Sequence, residues 1–161
     1  MTKKERIQVI GGYRQSRQTL HLWLTGALIF CNSFVLGFDT WWIWGIGSVL
    51  TAVLLIGLTI KEGRVLQIFT VGRGILLTKR LYRLYSYWIG AVTAAILFNR
   101  LQIAPVAWVI FGLGIVMLAW THYQTVQQLR QADPEQPTRD EVTKHYRSYE
   151  RSTYADERKA T

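Results

Sequence analysis

The sequence predicts an all-α integral membrane protein with four transmembrane helices, arranged as two repeated hairpins with both termini cytoplasmic. Three observations lead there: apolar residues gathered into four blocks with the charges between them, a motif that occurs twice, and a one-sided distribution of Lys and Arg. Of 161 residues 50% are hydrophobic, yet 18% are charged and the balance is +9, so segregation rather than average composition carries the signal. Searching for a repeat comes first, because missing one misassigns the whole architecture.

The repeated stretch is Trp41-Trp42-Ile43-Trp44-Gly45-Ile46-Gly47, which returns as Trp108-Val109-Ile110-Phe111-Gly112-Leu113-Gly114. The same ungapped offset pairs Ala27 with Ala94, Ile29 with Ile96, Asn32 with Asn99, Val49 with Val116 and Ala52 with Ala119. Apolar bias alone does not generate paired asparagines.

The N-terminal segment, residues 1–19, is basic and polar, and Gly11-Gly12 is expected to break any helix there. It reads as a topology-setting cytoplasmic segment. The first hairpin, residues 20–60, follows: Leu20 to Phe38 and Trp41 to Ile60 carry no charge except at the turn, Asp39. At about 1.5 Å of rise per residue, each block reaches roughly the 30 Å of a bilayer's hydrocarbon core. The short turn Gly37-Phe38-Asp39-Thr40 requires a tight antiparallel pair.

Residues 61–83 alternate basic positions with Val65, Leu66, Ile68, Phe69 and Val71, and Gly72-Arg73-Gly74 divides them. That pattern predicts a surface-lying amphipathic connector of two short elements. The second hairpin is residues 84–120, in which Leu84 to Phe98 is a shorter apolar run and Ile103 to Trp120 begins near Pro105, where a helix tolerates proline. Residues 121–161 are polar but helix-compatible up to Pro134 and Pro137. Thr138-Arg139-Asp140-Glu141 then reads as a capping box opening a short helix with Val142, Tyr146 and Tyr149 on one face.

Orientation comes from the cations. Of the 19 Lys and Arg only Arg100 falls in a loop on the side opposite the termini. Because Lys and Arg are retained on the cytoplasmic side, the termini and the 61–83 connector are expected there. The charge therefore reads as a topology signal, with attraction for anionic lipid headgroups, and no nucleic-acid-binding motif accompanies it.

Two residue sets are assigned to the membrane. Asn32 and Asn99 in the first and third spans, Gly45 and Gly47, Gly90 with Ala94, and Gly112 and Gly114 are expected at helix contacts, within the bundle or between copies. Lipid supplies no hydrophobic force between helices, so close backbone approach at small residues and polar side-chain bonds drive association. Trp23, Trp41, Trp42, Trp44, Trp88, Trp108 and Trp120 are expected as interfacial anchors.

His21, Asn32, Trp41-Trp42 and Trp44-Gly45-Ile46-Gly47 together resemble the small bacterial 2TM domain, a two-helix membrane hairpin with an early His, a later Asn and a Trp-rich entry into a W-G-x-G helix. The second half resembles a degenerate copy, with Trp88 where the early His would stand and Trp108 alone for the Trp pair. The resemblance implies a membrane module in a bacterial cytoplasmic membrane, without catalytic residues to carry over.

For chemistry the available groups are His21, His122, Asp39, Glu62 and Tyr123, and the topology puts Asp39 on the face opposite the others. No catalytic, cofactor-binding or metal-binding set is expected, and the lone Cys31 reads as a small buried hydrophobe. The expected function is that of a non-catalytic accessory or regulatory subunit that binds another membrane protein or a second copy of itself. The competing reading is a self-associating pore or small transporter, holin-like or channel-like. Ionisable groups inside the spans would mark an ion route, and none is expected well inside one.

Overall fold

The computed structural model describes residues 2–139, 141 and 142, and among them the regular structure is helical throughout. Five helices follow one another: α1 (Lys3–Gln15), α2 (Gln18–Gly37), α3 (Trp41–Gln67), α4 (Arg73–Arg100) and α5 (Pro105–Ala132). The last four are long and apolar enough to cross a membrane, so the chain reads as a multi-pass membrane protein. Helices suit that setting because each satisfies its backbone hydrogen bonds internally.

Helix α1 corrects the expectation of a break at Gly11-Gly12. Thr2 and Glu5 form a capping box at its start, and the helix runs through both glycines to Gln15. Ile7, Ile10 and Gly11 recur at helical spacing and are buried, so tertiary packing outweighs the roughly 1 kcal/mol that each glycine costs in helix propensity.

The connector is also different from its sequence reading. Instead of two short surface elements, α3 continues to Gln67 and α4 begins at Arg73, leaving only residues 68–72 as the turn. The helices persist because their inner faces are buried: Glu62, Gly63 and Leu66 on α3 meet Leu81 and Tyr82 on α4. At Gly72 the backbone takes φ +60°, a left-handed conformation in which glycine is at ease and a β-carbon would be strained.

Helices α2, α3 and α4 form the packed centre, with α5 laid against α4 alone and α1 across the ends of α2 and α3. The buried apolar cluster lies at the end where α1 meets the last described residues: Ile7 and Ile10 of α1, Leu66 of α3, Tyr82 of α4 and Val142. Residues 133–139 fold back over this end, and Thr138 donates its backbone N–H to Glu141 Oε2 at 2.9 Å, half of the expected capping box. Tyr146 and Tyr149 of the proposed stripe lie outside the described residues.

Candidate functional site

Glu62 is the only acidic residue between Asp39 and Asp133, and the fold buries it to 1% exposure near the end of α3. A buried carboxylate is costly unless paired and hydrogen-bonded. Arg14 of α1 donates from Nε and Nη2 to Glu62 Oε1 at 2.9 and 2.6 Å, and the Tyr82 hydroxyl of α4 donates to the same oxygen at 3.0 Å. Arg139 Nε lies 4.0 Å from Oε2, which itself accepts no hydrogen bond among the described residues.

Glycine makes this meeting possible. A methyl group at Gly63 would come within 2.6 Å of Tyr82 Cγ, so α3 and α4 approach here more closely than any side chain at 63 allows. That approach brings the phenol to the carboxylate. One acidic group thus ties together α1, α3, α4 and the C-terminal segment.

A second set of polar contacts surrounds the first. Arg6, buried to 9% exposure, donates from Nη1 to Asp133 Oδ2 at 2.8 Å and to Gln136 Oε1 at 3.0 Å, and Gln136 Nε2 donates to Thr78 Oγ1 at 3.4 Å. Lys3 Nζ donates to Glu141 Oε1 at 3.0 Å. Partial burial acts to raise the Glu141 pKa, but the Thr138 N–H and the Lys3 ammonium outweigh it and hold the carboxyl below its ordinary value. Charge-assisted bonds of this kind are roughly twice as strong as neutral ones, and here they fasten the first helix to the last described segment.

The other ionisable groups are dispersed. Asp39 stands at the opposite end of the bundle, 3.7 Å from Arg100 Nη2, whose guanidinium also reaches the Phe38 carbonyl at 3.2 Å. His122 packs its ring edge-on to Tyr85 at 4.9 Å, and Tyr123 is exposed. Among the described residues no three or more His, Cys, Asp or Glu side chains gather as a metal site requires.

The expected packing residues divide by hairpin. Buried Asn32 accepts a 2.5 Å bond from Ser48 Oγ, tying α2 to α3. Gly45 is buried, with Leu97 of α4 within 3.4 Å of where its β-carbon would stand, and Cys31 Sγ lies 3.2 Å from the corresponding point at Gly47. In the second hairpin Asn99 is exposed, and methyl groups at Gly90, Gly112 or Gly114 would meet nothing within 4 Å. Gly112 and Gly114 are exposed because α5 reaches only α4 and leaves its glycine face uncovered, and Gly90, like Ala94, is half-buried.

Of the tryptophans, Trp23, Trp42, Trp108 and Trp120 are exposed, while Trp41 and Trp88 are half-buried. Trp44 is half-buried too, packed at 4.6 Å from the Phe34 ring and 5.7 Å from Phe30.

No protein-family model, curated protein or solved structure matches the chain. Sequence reasoning missed Arg14, Glu62, Gly63 and Tyr82 as a unit. The available signal was the isolation of Glu62, a single carboxylate directly beside a glycine in a stretch otherwise basic and apolar.

Proposed function

We propose that the chain is a non-catalytic accessory or regulatory membrane subunit, whose α2–α4 core and terminal clasp are self-contained and whose α5 is the surface for another membrane component. The observation that carries this reading is that none of the apolar window of α5 is buried, although Gly112 and Gly114 offer the close backbone approach that drives helix association in lipid. The one-sided Lys and Arg distribution supports cytoplasmic termini, and with them a cytoplasmic position for the Glu62 clasp. Residues 20–60, through their likeness to the 2TM hairpin, support a bacterial cytoplasmic membrane. On this reading the first hairpin and α4 form the core, and α5 alone turns outward.

Mild extraction from native membranes, followed by sizing and mass spectrometry, tests it. A stoichiometric foreign membrane subunit that is lost in a Gly112→Leu, Gly114→Leu variant of unchanged fold is the expected result. A ring or bundle of this chain alone, conducting in liposomes, would replace the accessory reading with the self-associating pore.

A further inference from the structure

On one side of α4 the helices α3 and α5 stand apart, and between them runs a groove of about 700 Å³. Its floor is small: Gly90, Ala91 and Ala94 on α4 remove the bulk that would otherwise fill it. Its walls are apolar, Ile56 and Ile60 on α3 facing Phe111, Gly114, Ile115 and Leu118 on α5. Ser86 also lines it, but its hydroxyl is spent on the Tyr82 carbonyl at 3.0 Å, so the interior offers no unpaired side-chain hydroxyl there.

The polarity is confined to one end. Arg83 and the exposed Tyr87 line the groove toward the basic end of the bundle. Arg83 forms no ion pair among the described residues. Helical spacing sets Arg64 one turn beyond Ile60 on the same face of α3, and Lys79 and Arg80 one turn before Arg83 on α4. The groove therefore ends in a cationic rim with no acidic partner in its lining.

We propose that this groove binds one anionic phospholipid, an acyl chain lying along α4 and the phosphate held by Arg83. The rise from Arg83 to Ala94 is about 16 Å, roughly half the 30 Å hydrocarbon core and so the depth of a single leaflet. That length fits an acyl chain, the apolar lining fits its chemistry, and the guanidinium fork fits a phosphodiester. Basic pockets between membrane helices recognise lipid headgroups in this way. Gly114 lines the groove as well as the uncovered face of α5, so the two sites share an edge, but the lipid proposal rests on Arg83 and the α4 floor and is tested at Arg83 and Ala94, which the accessory reading does not use.

The test is native mass spectrometry of the full chain in mild detergent, titrated with phosphatidylglycerol or phosphatidylcholine of equal acyl composition. The expected result is one retained phosphatidylglycerol, bound about tenfold or more over phosphatidylcholine, which has the same phosphodiester but brings its choline cation against the cationic rim. Arg83→Gln removes the preference, Arg83→Lys retains part of it, and Lys4→Gln, on the exposed face of α1, leaves it intact. Ala94→Phe fills the groove and lowers retention of both lipids, with an unaltered elution volume reporting an intact fold. Equal retention of the two lipids by the wild-type chain, or an Arg83→Gln variant that still prefers phosphatidylglycerol, overturns the proposal.

Discussion

In the α2–α3 hairpin Asn32 accepts a bond from Ser48 and Gly47 faces Cys31, whereas in α4–α5 the matching Asn99 is exposed and Gly114 has open space where a side chain would be. The residues that repeat are therefore insufficient to make the contact. What differs is their partners: at the repeat offset Ser48 becomes Ile115 and Cys31 becomes Phe98. An aliphatic chain stands where the first hairpin has a hydroxyl that donates to an amide, and a ring where it has a small thiol. The first hairpin closes on itself, and the second offers the same small residues outward.

That difference can be broken at several places. The largest effect is expected where α1 is tied to the core: Glu62→Ala removes the carboxylate to which Arg14 and Tyr82 donate, and breaking a buried pair costs about 3 to 5 kcal/mol. Unfolding in mixed micelles, followed by near-ultraviolet dichroism, reads that loss. A change within ~0.5 kcal/mol, the range of ordinary surface substitutions, would mean that the carboxylate is not the keystone of the clasp.

Next come the glycines. Gly63→Ala and Gly47→Leu each force atoms into occupied space, for about 1 to 3 kcal/mol of overpacking, while Gly114→Leu should leave the isolated chain as stable as before. Equal destabilisation at positions 47 and 114 would erase the contrast between the hairpins.

A smaller contrast separates the asparagines. Asn32→Leu loses an interhelical hydrogen bond worth roughly 0.6 to 2 kcal/mol in lipid, and Asn99→Leu loses none within the chain. A double-mutant cycle of Asn32→Leu with Ser48→Ala isolates the bond, and a coupling near zero would deny it.

The smallest effect concerns pH. Because the folded Glu141 carboxyl is held below its ordinary value, its tie to Lys3 contributes stability in full above the unfolded pKa and is lost as the pH falls through the folded one. Release of residues 133–142 toward a soluble protease should therefore rise modestly on acidification below the ordinary carboxylate range. In Glu141→Gln the release should be high at neutral pH and flat in that window; an unchanged acid-dependent rise in that variant would assign the step to another group.

Four membrane-length helices were legible because the apolar residues gather into four blocks with the charges between them, even where Leu84 to Phe98 is short, and the tight turn at Gly37 to Thr40 follows from its length. The extension of α3 and α4 beyond the apolar blocks was not. Residues 61–83 look interfacial when taken alone, and only the burial of Glu62, Leu66 and Tyr82 beneath α1 keeps them helical. Helix α1 was hidden for the same reason, since Gly11-Gly12 weakens local propensity while the tertiary approach of Ile7 and Ile10 restores the helix. At the candidate site local patterning could not bring Arg14, Glu62, Tyr82 and Arg139 together, because they come from four separate segments. Small residues were recognisable as packing residues, but which neighbour they would meet depends on where α5 lies.

The most direct measurement places a photoreactive side chain at Leu113, exposed on α5 between its two glycines, and at Leu22, exposed on α2, then irradiates native membranes. A discrete protein adduct at position 113, absent at position 22 and lost when Gly112 and Gly114 become Leu, is the predicted result. Lipid adducts alone at both positions would contradict the assignment of α5 as the outward contact surface.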